Sequence, residues 1–337
     1  MIIVNRTDLL KPLEPLKALL KKQSDMDEGS GQITYSGLRF WCRSGDYWLS
    51  TVAPTELEEL KEFSVSGDLL TFLGKTNADE ITLDLEDSLL VKAQRSRPKF
   101  SLLKPYSFEY PSEFSSITDA PTFISTFSTV SKVTSRSFAR PALTAVHVSD
   151  KQMEASDEFR FLRVSGDQSF ITADLLIPAL AFTFISNLEP TEYYVDDNQL
   201  FLRNADGTVG SCPLIGGTFP DITKNMNAKG HNVQVSKNIY SALDRCLVFT
   251  SRSRFEEERV LSCTLVNGRI KMTADSPSGD ISEVVKANYP EGIEGRKFAV
   301  NPDFFKEALT HSLSFLLAKS SIHVETEKSY YICLLKG

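Results

Sequence analysis

Apolar and polar positions alternate along much of this chain in short runs. Gln32-Ile33-Thr34-Tyr35, Leu38-Arg39-Phe40-Trp41-Cys42, Glu80-Ile81-Thr82-Leu83-Asp84-Leu85 and Leu89-Leu90-Val91-Lys92-Ala93 place β-branched and aromatic residues at a period near two, the pattern of half-buried strands. Turn residues separate such runs at Glu86-Asp87-Ser88, Asp196-Asp197-Asn198, Asn204-Ala205-Asp206-Gly207 and Asn267-Gly268, the last a hairpin dipeptide. A different cadence breaks in between: Val65-Ser66-Gly67-Asp68-Leu69-Leu70, Ile171-Thr172-Ala173-Asp174-Leu175-Leu176 and Val300-Asn301-Pro302-Asp303-Phe304-Phe305. Ser66, Thr172 and Asn301 are residues whose side-chain oxygen can take an orphan N–H of a first helical turn. Asp68, Asp174 and Asp303 then fall two residues later, where a carboxylate complements the positive end of the helix dipole. The cadence predicts helix starts near 67, 173 and 302. Looser versions at Thr7-Asp8-Leu9-Leu10, Thr118-Asp119-Ala120-Pro121 and Val235-Ser236-Lys237-Asn238-Ile239-Tyr240 predict three more, near 8, 120 and 237.

Each predicted helix is followed by roughly three short strands, which makes three units of about 110 residues, each with two copies of a helix-plus-strands module. The expected domains are 1–113, 114–227 and 228–337, joined through the segments 105–115 and 218–230, in an α+β fold. A length of 337 residues agrees, being too long for one ordinary core.

Composition narrows the class. Cys42, Cys212, Cys246, Cys263 and Cys333 are odd in number and scattered, which argues against a disulfide framework or zinc site and for a reducing compartment. No run of about 18 apolar residues appears, and the first residues are interrupted by charges and Pro, so neither export nor membrane spanning is expected. The formal charge of −7 excludes a uniformly basic surface but leaves room for a local basic stripe. His147, His231, His311 and His323 are far apart, with no metal-ligand or catalytic spacing to a Cys or carboxylate. Gly207-Thr208-Val209-Gly210 and Gly216-Gly217 lack the Lys-Ser/Thr of a phosphate loop, and Glu256-Glu257-Glu258 reads as a solvated run. No enzyme activity, cofactor or metal is expected.

Local wording adds an ordered set of similarities. Leu9-Leu10-Lys11-Pro12-Leu13, the stretch 90–102, Arg140-Pro141-Ala142-Leu143, Gly217-Thr218-Phe219-Pro220-Asp221, Ala242-Leu243-Asp244-Arg245, Ile270-Lys271-Met272-Thr273-Ala274 and Val300-Asn301-Pro302-Asp303-Phe304 together resemble the bacterial β sliding clamp, the DNA polymerase III beta subunit family, over nearly the whole chain. The resemblance implies three repeated clamp domains with two helices inside and antiparallel sheets outside, closing as a ring, most often a homodimer, around double-stranded DNA in the bacterial cytoplasm. A repeat-built interaction scaffold without DNA encirclement is the alternative.

Helices lining a DNA channel need basic faces for sequence-independent phosphate contact. The candidates are Lys11, Lys17, Lys21, Lys22, Lys75, Lys132, Arg136, Arg140, Lys237, Arg245 and Lys306. The predicted fourth helix, 173–184, carries none. The resemblance also implies an apolar groove for short peptides of the polymerase, the clamp loader and other partners. The matching positions here are Leu143, the segment Ser156-Asp157-Glu158-Phe159-Arg160-Phe161, Pro220, Lys224, Asn225, Phe255, Asn301, Phe304, Ser321, Ile332, Leu334 and Leu335. The resemblance places the ring seam at Phe100, Phe249 and Thr250. Glu158-Phe159 stands where cellular clamps commonly have Gly-His, and the chain ends Tyr331-Ile332-Cys333-Leu334-Leu335-Lys336-Gly337 without the usual Met-Pro-Met-Arg. An altered peptide preference follows, which suits a clamp made by a phage for its own polymerase.

Overall fold

The computed structural model describes residues 1–20, 31–105, 111–196, 198–250, 259–277 and 279–336. Among these residues one order of elements occurs three times: strand, helix, three strands, then strand, helix, three strands. The first pass is β1 (Ile2–Asn5), α1 (Arg6–Leu13), β2 (Gln32–Ser36), β3 (Arg39–Ser44), β4 (Tyr47–Val52), β5 (Phe63–Ser66), α2 (Asp68–Lys75), β6 (Glu80–Leu85), β7 (Ser88–Lys92) and β8 (Lys99–Ser101). The second is β9 (Ser115–Ser116), α3 (Ala120–Val130), β10 (Ala145–Asp150), β11 (Gln152–Ser156), β12 (Arg160–Ser165), β13 (Ile171–Pro178), α4 (Phe182–Leu188), β14 (Glu192–Val195), β15 (Gln199–Arg203) and β16 (Val209–Pro213). A single turn, α5 (Thr223–Met226), precedes the third pass. That pass is β17 (Gly230–Val235), α6 (Ile239–Thr250), β18 (Leu261–Val266), β19 (Arg269–Ser276), β20 (Gly279–Asn288), β21 (Lys297–Val300), α7 (Pro302–His311), β22 (Ser314–Ala318), β23 (Ser321–Glu325) and β24 (Ser329–Lys336).

Two compact units emerge, and they cut the middle pass in half. One holds Met1–Ile124 and Leu180–Ile215, the other Ser125–Ala179 and Gly216–Gly337. The reason is strand pairing. In the first unit β4 bonds antiparallel to β16, Leu49 opposite Gly210, within a sheet ordered β5-β2-β3-β4-β16-β15-β14-β9. A second sheet there runs β1-β6-β7-β8. In the second unit β12 bonds antiparallel to β24, Phe161 opposite Ile332, within a twelve-stranded sheet. Edges that a module would otherwise leave open are consumed by a module later in the chain.

Apolar residues bury one side of α2 and of α7. Leu69, Leu70 and Leu73 of α2 are buried, and the Tyr35 hydroxyl donates to the Leu57 carbonyl at 2.6 Å. Gly210 is required where it stands: a Cβ there would lie 1.9 Å from the Phe184 ring. In the second unit Phe304, Phe305, Ala308 and Leu309 bury one side of α7, and the Phe305 ring meets Phe315 edge-on at 5.4 Å. All five cysteines are buried and unpaired, and burial raises the thiol pKa of each.

Most predicted helix starts agree within two residues. Asn301 caps α7 by accepting from the N–H groups of Asp303 and Phe304 at 2.9 and 3.2 Å. Ser66 accepts from Asp68 N–H at 3.2 Å, and Asp119 from Thr122 N–H at 3.1 Å. The cap of α1 is Asn5, two residues before Thr7. The start near 173 is corrected: Ile171–Pro178 is strand β13, paired with β10, and the helix begins at Phe182. A helix over 173–184 would hold Pro178 in its interior, losing a backbone bond and clashing with the preceding turn at a cost of about 3 kcal/mol. The Asn267-Gly268 hairpin is as expected, with φ values of 51° and 66° between Val266 and Arg269.

Candidate functional site

The pairing of β12 with β24 builds a small apolar cavity. Phe161 lies opposite Ile332, and Leu334 N–H donates to the Phe159 carbonyl at 2.8 Å. The cavity, about 70 Å³, is lined by the predicted Ser156, Glu158, Phe159, Arg160, Phe161, Asn225, Ile332 and Leu334, with Ile222. Phe161 and Ile332 are buried in its floor, while Leu334 (43% exposed) and Phe159 (39%) stand open to an incoming ligand. Ile222 was not among the predicted residues; its only sequence signal is its place just after Phe219-Pro220-Asp221.

The remaining predicted groove residues do not line this cavity. Leu143 is buried, with its carbonyl bonded to Ser135 N–H, and Asn301 is wholly enclosed as the cap of α7. The Ser321 hydroxyl is 2.7 Å from His323 Nε2, and Leu335 lies across from Val300. Pro220 and Lys224 are exposed. Phe255 lies outside the described residues.

Arg160 was expected at the rim but is largely enclosed. Its guanidinium lies 4.2 Å from the centre of the Phe304 ring, and Nε donates to Asp157 at 2.9 Å. Nη1 donates to Glu307, and Nη2 to the Lys132 carbonyl at 2.9 Å. Tyr331 also donates to Glu307, at 2.9 Å. Burial works against the Arg160 charge, but Glu307, Tyr331 and Asp157 outweigh it and raise its pKa. Arg160 therefore fixes the cavity wall to α7 and is not a free cation for a ligand.

The turn before β12 is strained at one residue. Glu158 has φ of 80°, a conformation natural to glycine, and it is held there by its neighbours: Asp157 accepts from Phe159 and Arg160 N–H, each at 3.0 Å. Such a residue stores on the order of 1 kcal/mol. Glu158→Gly is expected to raise unfolding stability by about that amount, read from the urea midpoint, and an unchanged or lower midpoint would refute the strain.

His147 has partners that its sequence surroundings did not reveal. Nδ1 is 2.9 Å from Glu154 across the β10–β11 hairpin, and Nε2 is 2.7 Å from Asp174 on β13. Its ring stacks on Phe219 at 5.1 Å, and Arg163 both binds Glu154 at 2.6 Å and reaches Met226 Sδ at 3.3 Å. This network anchors the segment that carries Ile222 and Asn225. The Glu154 hydrogen bond, opposed by burial and helped by Asp174, raises the His147 pKa above the ordinary 6.5. A raised folded-state value means that the stabilisation is complete below 6.5 and is lost as pH rises through the folded-state pKa. Urea midpoints are expected to fall across that window and to flatten in His147→Gln; equal slopes in both proteins would refute the clasp.

Eight of the eleven predicted cations divide into two groups. Lys11, Lys75, Lys132 and Lys237 are exposed, each near a helix end, and have no ion-pair partner among the described residues. Lys17 pairs with Glu14 at 2.5 Å, Arg140 with Glu158 at 3.2 Å, and Lys306 with Asp244. Arg245 holds Glu283 through two bonds, at 2.6 and 2.9 Å. Arg136 is exposed, and Lys21 and Lys22 lie outside the described residues.

One predicted seam residue sits on an outer strand and two at a helix end. Phe100 is on β8, the outer strand of its sheet, with its ring edge-on to Phe72 at 6.3 Å. Phe249 is half-buried and Thr250 buried at the end of α6, beside β20. Along Gly279–Val285, β20 pairs with β19 alone among the described residues, and Val248 and Val284 are exposed near it.

No protein-family model matches the sequence, and no curated relative matches it. Solved structures do match the fold along the whole chain. The Caulobacter crescentus pol III beta has a TM-score of 0.82 at 16% identity, covering 100% of this chain and 99% of that one. The DNA polymerase III subunit beta of Pseudomonas aeruginosa has 0.81 at 19% identity, covering 99% of each chain. A DnaN sliding clamp of Bartonella birtlesii bound to griselimycin has 0.79 at 16% identity, covering 100% of this chain and 99% of that one. The chain has the DNA clamp fold from end to end.

Proposed function

We propose that this chain is a DNA sliding clamp: a non-enzymatic processivity factor, working in the cytoplasm of a bacterial or phage-infected cell, that encircles duplex DNA and tethers a polymerase by a short peptide. The observation that carries this reading is the whole-chain likeness to DNA polymerase III beta subunits. Two further features support it. A cavity with buried apolar floor and exposed apolar lip suits a linear peptide, in which a few anchors carry most of the energy. The open edges of β8 and β20 suit head-to-tail closure of two chains, with Arg95, Arg97 and Lys99 beside the first and Asp275 and Asp280 at the second. Closure as a dimer and the boundaries 1–113, 114–227 and 228–337 belong to the same proposal, as does loading by a clamp loader.

Topology tests it. Chain loaded on nicked circular DNA should remain bound through gel filtration in high salt and be released when the circle is cut. Equal retention before and after cutting would favour the interaction scaffold over the clamp.

A further inference from the structure

A second cavity, of about 890 Å³, opens on the same sheet face as the small one. Tyr330, Ile332 and Leu334 are alternate residues of β24 and so point to one side of the sheet. Ile332 and Leu334 line the small cavity and Tyr330 the large one, so the two follow each other along one strand within about 13 Å. The segment 222–228 runs between them. Ile222 and Asn225 face the small cavity, Met226, Asn227 and Ala228 the large one, and Tyr330 donates its hydroxyl proton to the Met226 carbonyl.

The chemistry of the larger trough differs from that of its neighbour. Asn227, Asn232, Gln234 and Asn288 bring four exposed carboxamides, none of them engaged by another group among the described residues. No Lys or Arg lines it, and Glu325 is its one carboxylate. Burial lowers the His323 pKa below its ordinary 6.5, and its nitrogens lie 2.7 Å from the Ser321 hydroxyl and 3.0 Å from that of Tyr330. A phosphate or nucleic acid finds no counter-charge here, and a purely apolar ligand would strand the carboxamides. The volume is that of a pocket for a small ligand or a few residues of extended peptide.

We propose that this trough is a subsite for an uncharged, hydrogen-bonding stretch of the same peptide whose apolar residues enter the small cavity. The peptide crosses the outward side of the segment 222–228, where Lys224 and Asn225 are exposed. Asn and Gln side chains, which offer both donor and acceptor, match the four carboxamides. The proposal rests on the peptide-groove reading and adds to it a second determinant of specificity.

A displayed library of random peptides, panned against the full chain, provides the probe. Recovered peptides should combine an apolar cluster with an uncharged polar flank at fixed spacing. Asn232→Lys with Gln234→Lys, both exposed on β17, should weaken these peptides about tenfold or more, which is at least about 1.4 kcal/mol. Truncated peptides keeping only the apolar cluster should bind the variant and the parent alike. Asn232→Ala with Gln234→Ala, which adds neither bulk nor charge, should weaken the full peptides by a smaller factor in the same direction. Full peptides that bind both variants as they bind the parent overturn the trough and leave the groove standing, and charged flanks do the same. Failure to recover any peptide whose binding depends on Leu334 overturns the groove reading, and the trough with it.

Discussion

A Leu334→Glu chain is expected to form rings and stay on circular DNA while losing its stimulation of the cognate polymerase. Leu334 can be changed without unfolding the sheet, because its side chain is exposed while its backbone N–H stays bonded to the Phe159 carbonyl and it keeps its place opposite Ser321 of β23. Surface changes of this kind usually move stability by no more than about 0.5 kcal/mol. Binding is another matter. An apolar anchor entering the cavity would have to desolvate the new carboxylate, and Arg160, already committed to Asp157 and Glu307, is not free to receive it. Loss of such an anchor costs about 2 kcal/mol or more, roughly a thirtyfold weaker peptide. Phe161→Ala is the poorer probe: at 2% exposure its loss removes about 3–5 kcal/mol of core packing and confuses binding with folding. Primer extension with the polymerase, beside sedimentation of the variant, decides the matter. Full stimulation in an intact ring would place the polymerase contact elsewhere.

The sequence was most informative where physics is local. Asn301, Ser66 and Asp119 act on N–H groups two or three residues away, and their helix ends were legible for that reason. The same local rule failed at Ile171–Pro178, where cadence suggested a cap but pairing with β10 prevailed and Pro178 barred a longer helix. Asp174, read as a helix-start carboxylate, instead binds His147, 27 residues away in sequence. The apolar cavity could not be read from spacing, since Phe161 meets Ile332 only through a strand pairing between distant parts of the chain. Its location came from the family resemblance, and that route could not separate Asn301 and Ser321, engaged within the fold, from Leu334 at the mouth. Glu158 shows the opposite: a departure from the family wording whose consequence, a positive φ, is visible in the backbone.

Ion pairing within the chain separates the basic candidates. Lys306 and Arg245 looked like channel cations, but their partners Asp244 and Glu283, 62 and 38 residues away, offset their charge. Lys11, Lys75, Lys132 and Lys237 keep theirs. Changing these four to Gln is expected to lower the slope of log K against log salt, for binding to a short linear duplex, by about 3.6, at about 0.9 for each phosphate released. Between 50 and 200 mM salt four such contacts account for about a hundredfold of affinity, so the variant should lose most of its salt sensitivity. Lys306→Gln with Asp244→Asn removes a neutral pair and should leave the slope where it was. Retention on closed circles should change little in either variant, because a ring holds DNA by topology and uses its lysines only to meet the backbone. Fluorescence anisotropy across a salt series measures the slope. A slope unchanged in the four-lysine variant would remove these residues from the phosphate path, even if circles still retain the chain.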